Sequence, residues 1–380
     1  MTSELALFGG TPVVPSGLKR RWPEITDEDR AAVLGVLDRG ILTGVHAPES
    51  VALEAEWAAF TGAGHALNFN SGTAALHAAL FAAGVGPGDE VITSAFSFSA
   101  TFQAILHQQA VPVFVDINPQ SYNIDVRQIE AKITERTRAI LPVHIHGLPA
   151  DLDEILALGK KYNLTVIEDA AQAHGATYRG RMVGTIGAMG AFSLNASKNL
   201  AGGEGGFLTT NDPALAERAS LLRTFGERVD KVKEKIRPYT VYSIGWNYRT
   251  QELPAALART QLRRLAAYNE NARQNAAYLT GQLGDLPGLL PPAVPDDRTS
   301  VYHKYRLRFD LDELNLAVHP TVFRQRLLDA LEAEGVSVTL WHREPLTSFP
   351  IFQERNGAGA IWDWPGYERR PVYQPEDFPE

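Results

Sequence analysis

The 380-residue chain contains no cysteine. That removes disulfides, thiolate nucleophiles and cysteine-ligated zinc or iron–sulfur centres from consideration. No metal site is expected. Long apolar runs are also missing: none approaches the roughly eighteen residues of a membrane span, so no membrane segment is expected. The opening MTSELALFGGTPVVP has no basic segment followed by a long apolar stretch, and no signal peptide is expected. Positive charge is in deficit. The formal net charge of -8 argues against a general nucleic-acid or acidic-membrane surface and leaves room only for a local basic pocket. Neither G-x-x-x-x-G-K-S/T nor a G-x-G-x-x-G after the first strand occurs, so both nucleotide fingerprints fail. What is present is ordinary for a soluble, cytoplasmic protein: 44% apolar and 21% charged residues.

Between about residue 65 and residue 210, short β-rich runs alternate with helical patterns. The strand candidates are 66–70, 90–94, 111–116, 138–144, 164–169, 190–194 and 205–210; the helical ones are 73–84, 99–109, 125–133 and 152–162. Strands separated by helices of this length predict an α/β fold, a mainly parallel sheet with helices on both faces. A further helix follows at 211–226, with Asn211 or Asp212 as its cap and Pro213 at an early position. The polar stretch 227–239 reads as a mobile loop, and 251–283 as a long helix that tolerates Pro254 near its start. Pro and Gly cluster at 285–295, which predicts an N-terminal arm over 1–20, a large domain over 21–285 and a smaller α/β domain over 286–380. In that last part 301–310 alternates as a strand would, 319–335 is an amphipathic helix closed by Gly335, and 336–342 returns as a strand.

Three segments could carry chemistry. In FSLNASKNLAGGEGG (192–206), Lys198 follows a candidate strand and precedes glycines that let the backbone approach a ligand. A lysine amine forms a Schiff base with an aldehyde when its surroundings favour the neutral form; the plain alternative is a surface lysine. In VIEDAAQAHG (166–175), Asp169 ends an apolar strand on the usual ligand side of a parallel sheet, with Glu168 on the opposite face. A carboxylate there suits the pyridine nitrogen of pyridoxal 5′-phosphate (PLP), although an Asp that merely begins a helix would look the same. Gln172 and His174 follow within reach of a ring, and His174 could equally be packing. In NSGTAALHAAL (70–80), Ser71, Gly72 and Thr73 open a helix whose free N–H groups favour a phosphate. Ser193 and Ser197 could add hydroxyls, and Phe98 could stack on an aromatic ring or belong to the core.

With SGTAAL (71–76), SAFSFSAT (94–101), PVHIHG (142–147), EDAAQAHG (168–175), the Lys198 block and GWNYRTQELPAAL (245–257) in this order, the chain resembles the DegT/DnrJ/EryC1/StrS group of sugar aminotransferases over roughly residues 20–350. The resemblance implies the PLP-dependent transferase fold of type I with a seven-stranded sheet. It implies Lys198 as the Schiff-base lysine and Asp169 as partner of the pyridine nitrogen. Gln172 would lie by the ring hydroxyl, and Phe98 would stack on the ring. Gly72, Thr73 and Ser193 would bind the phosphate, and Asn247 would reach the phosphate of a partner subunit across a homodimer interface. Glu204 falls in the family's glycine-rich turn, and His342 in the region that shapes the substrate pocket. The implied reaction moves an amino group from glutamate or glutamine to a nucleotide-linked keto-sugar or a keto-cyclitol.

Two departures stand out against the family pattern. Asn195-Ala196-Ser197 precedes the lysine where many relatives have His or Pro-Thr, which favours a less common acceptor. The chain also ends at PVYQPEDFPE without the family's C-terminal helix, so a truncated or differently ended small domain is expected. Among related activities, the dehydratases replace the lysine with histidine, which Lys198 argues against. An amino-hydroxybenzoate synthase keeps the lysine and stays open, as does a regulatory homologue without turnover, though Lys198, Asp169 and Gln172 are all intact.

Overall fold

The computed structural model describes residues 4–15, 17, 18, 21–44, 46–228, 240–354, 361, 364 and 373–379. Most of the polar stretch 227–239 and of the C-terminal segment after 354 lies outside these. Two helices come first, α1 (Asp27–Arg39) and α2 (Pro48–Thr61). Thr26 and Asp29 close a reciprocal capping box on α1, and Arg264 pairs with Asp29 at 2.7 Å, fastening this helix to the long helix below.

Then the alternation begins: β1 (His65–Phe69), α3 (Gly72–Ala82), β2 (Glu90–Ser94), α4 (Ala100–His107), β3 (Val111–Val115), β4 (Thr137–Leu141), α5 (Leu152–Tyr162), β5 (Thr165–Asp169), β6 (Met189–Ser193), β7 (Gly206–Thr210) and α6 (Pro213–Arg223). The seven strands form one sheet in the order β1-β7-β6-β5-β4-β2-β3. Six run the same way, and β7 lies antiparallel between β1 and β6. Every strand anticipated between 66 and 210 is present, within one to three residues at its ends. The helix expected at 125–133 is shorter, an α-turn at Val126–Ile129 running into a 3-10 turn. Asp212, not Asn211, caps α6, accepting from the Ala214 N–H at 2.7 Å.

The sheet is buried on both faces because apolar helices cover both. α3 is rich in Ala and almost wholly buried, since small side chains let it lie close on the strands. On the other face Trp57 of α2 is fully buried and stacks on Phe207, with ring centroids 4.7 Å apart. Further along, α7 (Glu252–Leu283) and α8 (Pro320–Ala333) follow. No described helix is long and apolar enough to cross a membrane.

Two strand expectations fail. Only Arg308–Phe309 of the stretch 301–310 is a strand, paired with Leu289–Leu290, and 336–342 forms none. Alternation reports which way side chains face, and it does not supply a backbone partner. Over 301–306 the chain joins no strand and bends at 303–304, tied instead to a loop: Val301 N–H donates to Gly147 O at 3.1 Å, and Tyr302 adopts a left-handed φ of 45°. In 336–342 the burial is provided by Trp341 and His342, which turn onto Phe96 instead of joining a sheet.

Candidate active site

Because β1, β2, β4, β5 and β6 are parallel, the loops leaving their C-terminal ends gather on one edge of the sheet. Those loops carry Gly72, Phe98, His146, Gln172 and Lys198. This is the edge where open α/β sheets bind ligands.

Asp169 closes β5 and is buried at 4% exposure. Its Oδ2 accepts from Thr101 Oγ1 at 2.8 Å, Thr101 in turn lies 2.7 Å from Ser97 Oγ, and its Oδ1 accepts from the Ala171 N–H at 3.2 Å. Burial drives the carboxyl above its ordinary value, and Thr101, Ala171 and the charge of Lys198 oppose that rise without cancelling it. Lys198 feels the reciprocal effect. Burial pulls its amine below the usual lysine range, the charge of Lys304 adds to the drop, and Asp169 and Glu204 oppose it. An amine held toward neutrality beside a buried carboxylate is chemically a poised nucleophile and proton carrier. The loop bearing it is fixed by Lys198 N–H donating to Asn195 O at 2.8 Å and by Trp22 Nε1 donating to Lys198 O at 3.1 Å.

Glu168 takes no part in this edge. It points to the other face, fully buried, as period-two alternation requires. Gln172 Oε1 accepts from the His146 N–H at 2.8 Å, which leaves its amide nitrogen as a donor for a ligand. His146 holds a left-handed φ of 57° to present that N–H. His174 is buried behind the site against Trp57 and Phe192, and burial pushes it down to about 3.

Gly72 is the first residue of α3, and Ser71 caps the helix by accepting from Ala74 N–H at 3.1 Å. A Cβ on Gly72 would stand 2.8 Å from Ser193 Cβ, so the helix N-terminus and the end of β6 are brought together by the absence of a side chain. Thr73 and Ser193 are partly buried beside it. Phe98 is 53% exposed, so it is not a core residue in this chain. Asn247 is exposed, bridged in backbone to Thr224, with its carbonyl accepting from Asn70 Nδ2 at 3.2 Å. Glu204 accepts from Asn195 Nδ2 at 2.8 Å within the glycine-rich turn. His342 lies against Phe96 and Trp341.

These positions suit PLP: an amine, a buried carboxylate, a helix start with N–H groups open to an anion and an amide nitrogen that no described residue engages share one edge. Sequence reasoning overlooked Thr101, His303 and Lys304. Thr101 stands three residues after Phe98 in a stretch already singled out, where a hydroxyl one helical turn along was the available signal. His303, whose Nδ1 lies 3.1 Å from Asn199 Oδ1, was hidden in a segment read only as a strand.

Known proteins resemble this chain over most of its length. The chain is 38% identical over 389 residues to a putative L-glutamine:3-amino-2,3-dideoxy-scyllo-inosose aminotransferase of Streptoalloteichus tenebrarius, covering 100% of this chain and 89% of the relative. It is 38% identical over 346 residues to the dTDP-3-amino-3,4,6-trideoxy-alpha-D-glucose transaminase of Streptomyces venezuelae, covering 90% and 85%. Among solved structures, S. venezuelae DesV superposes with a TM-score of 0.77 at 36% identity, over 88% of this chain and 85% of that one. The model of the DegT/DnrJ/EryC1/StrS aminotransferase family matches residues 23–361, and the chain belongs to that family.

Proposed function

We propose that this aminotransferase binds PLP through Lys198 and transfers an amino group from glutamine or glutamate to a keto-cyclitol or a nucleotide-linked keto-sugar. The observation that carries the reading is the pairing of a depressed amine at Lys198 with the buried carboxylate of Asp169 on the ligand edge of the sheet. The two kinds of acceptor come from relatives named for a scyllo-inosose derivative and for a dTDP-sugar.

When bound, PLP supplies an aldehyde that captures amines and a ring that takes up electron density from the donor's α-carbon. Lys198, once its amine is free, carries the proton to and from that α-carbon. Asp169 holds the proton on the pyridine nitrogen, and Thr101 fixes the orientation of its carboxylate. Gly72, Thr73 and Ser193 receive the phosphate at the start of α3, where N–H groups and the helix dipole favour an anion. Gln172 donates to the ring hydroxyl, and Phe98 covers the ring face.

Asn247 reaches the phosphate of a second subunit. The exposed Val241, Tyr242, Ile244 and Trp246 beside it support a homodimer that buries them. The enzyme works in the cytoplasm, in two domains parted near residues 285–295.

The test is the visible spectrum of PLP-treated protein before and after adding L-glutamine or L-glutamate. A band that the correct donor abolishes, and that Lys198→Ala never shows, supports the reading. Turnover persisting in Lys198→Ala would overturn it.

A further inference from the structure

A cavity is lined by the segment that touches the Lys198 loop, where Asn199 Nδ2 donates to Val301 O at 3.0 Å, and it is walled by cations that no described acid neutralises. Ser300, Tyr302, Lys304 and Arg306 alternate along the segment and all line it, as does His146. The intervening residues face away: His303 meets Asn199, and Tyr305 hydroxyl lies 3.0 Å from Thr280 Oγ1. The strand-like alternation that found no partner strand therefore has a different outcome, in which one row of side chains, two of them cationic, points into one cavity.

The surroundings of these cations are aromatic. The Lys304 ammonium sits 5.7 Å from the ring centre of Trp341, and the Arg306 guanidinium 4.1 Å from that of Tyr122. Arg306 also donates to Gln120 O. Among the described residues, neither cation makes an ion pair. Burial lowers both from their ordinary values, and the charged groups acting on Arg306 are Tyr122 and Arg308, not a carboxylate. Lining the same cavity, His146 is buried with its Nδ1 unpartnered among the described residues, and His342 Nε2, beside Trp341, is buried likewise without a described partner. Partly desolvated cations beside unsatisfied ring nitrogens cost free energy that a bound oxyanion would offset. The segment carrying these cations also meets the residue next to Lys198, with His303 Nδ1 3.1 Å from Asn199 Oδ1.

We propose that Lys304 and Arg306, together with His146, form a subsite that binds an oxyanion group of a substrate. The proposal rests on the aminotransferase reading for its location beside the reacting amine. The oxyanion has two sources, the carboxylate of the amino-acid donor or the phosphate of a nucleotide-linked acceptor.

Calorimetric titration of the full-length protein separates these. Glutarate, which has no amine and cannot react, probes the carboxylate source, and UDP probes the phosphate source. Lys304→Met and Arg306→Met should each weaken one or both probes at least about tenfold, the value of a lost charge-assisted hydrogen bond. Lys304→Arg should retain binding, and Arg326→Met on the exposed face of α8 should change nothing. Loss confined to glutarate assigns the donor; loss confined to UDP assigns the acceptor; loss of both shows that one subsite serves the two. The proposal is overturned if neither probe binds the wild-type protein, or if both bind the two Met variants as well as wild type while thermal melting shows the variants folded. Recording the PLP band on the same samples keeps the two readings apart. A protein that takes up PLP but fails the titration loses only the subsite, whereas one that takes up no PLP loses the parent reading and is still judged on the titration.

Discussion

His144 Nε2 lies 2.9 Å from Glu168 Oε2 with both side chains fully buried, on the face of β5 opposite Asp169. The Ala150 N–H donates to His144 Nδ1 at 3.0 Å, which places the ring hydrogen on Nε2, facing the carboxylate. Glu168 also accepts from the N–H groups of Gly184, Ile186 and Gly187 at 2.7 to 2.8 Å. Burial would raise this carboxyl, yet the hydrogen bonds win and hold it below its ordinary value. Glu168→Ala strands four donors at once. It should cost about 3–5 kcal/mol of stability, as breaking a buried polar network does. Urea unfolding measures this, and a loss below about 1 kcal/mol would show that the network is not structural.

A second prediction concerns pH and His77, in the middle of α3. Its Nδ1 is 3.0 Å from the Tyr248 hydroxyl, and the His107 and Trp246 rings lie beside it. Burial, with the charge of His107 adding to it, pushes His77 down to about 3. The unfolded chain binds this proton near pH 6.5, so the linked stability is complete above that value and falls as pH drops toward 3. The slope is about 1.4 kcal/mol per pH unit for one histidine. His77→Gln removes that dependence, so the gap in stability between wild type and variant should shift by about 1.6 kcal/mol in the variant's favour between pH 6.5 and 5. Parallel unfolding curves at the two pH values would contradict it.

The sheet was legible because each of its strands is a short β-rich run closed by turn residues, as in EVITS or VPVFVD, and each crossover helix has its own period. Asp169 was placed because it ends a strand, and Lys198 because its loop leaves the end of another. What escaped was set by tertiary contact. Nothing local in VYHKYRLRFD says that its backbone meets Gly147 and not another strand, and nothing in SAFSFSAT says that Thr101 points at Asp169. Trp57 too becomes core only when Phe207 and Phe192, far along the chain, close over it.

Gly72 gives a prediction about anion binding. Its missing side chain brings the start of α3 against Ser193, with a Cβ meeting Ser193 Cβ at 2.8 Å and Ser193 Cα at 3.1 Å. The second contact is backbone, which cannot rotate away. Gly72→Ala should therefore cost about 1–3 kcal/mol by overpacking and push the helix start from Ser193. PLP affinity should fall about tenfold or more, since the phosphate donors are displaced together. Fluorescence titration with PLP checks this. Unchanged affinity in a destabilised protein would place the phosphate elsewhere.

Thr101 is a positioning residue for Asp169, and its removal has a signature that general destabilisation lacks. Asp169 already sits above its ordinary value because burial outweighs its donors, and Thr101 is the leading donor holding it down. Thr101→Val keeps the shape and deletes the hydroxyl, so the Asp169 carboxyl should rise further. The ionised form needed at the pyridine nitrogen then survives only at higher pH, so the acid limb of the kcat/KM profile should move to higher pH. Below that limb the rate should fall roughly tenfold, the value of one hydrogen bond to a charged group. Thr101→Ser restores the donor and should return the limb toward its wild-type position. Superimposable profiles for wild type and Thr101→Val would mean that Asp169 is tuned by burial and the Ala171 N–H alone.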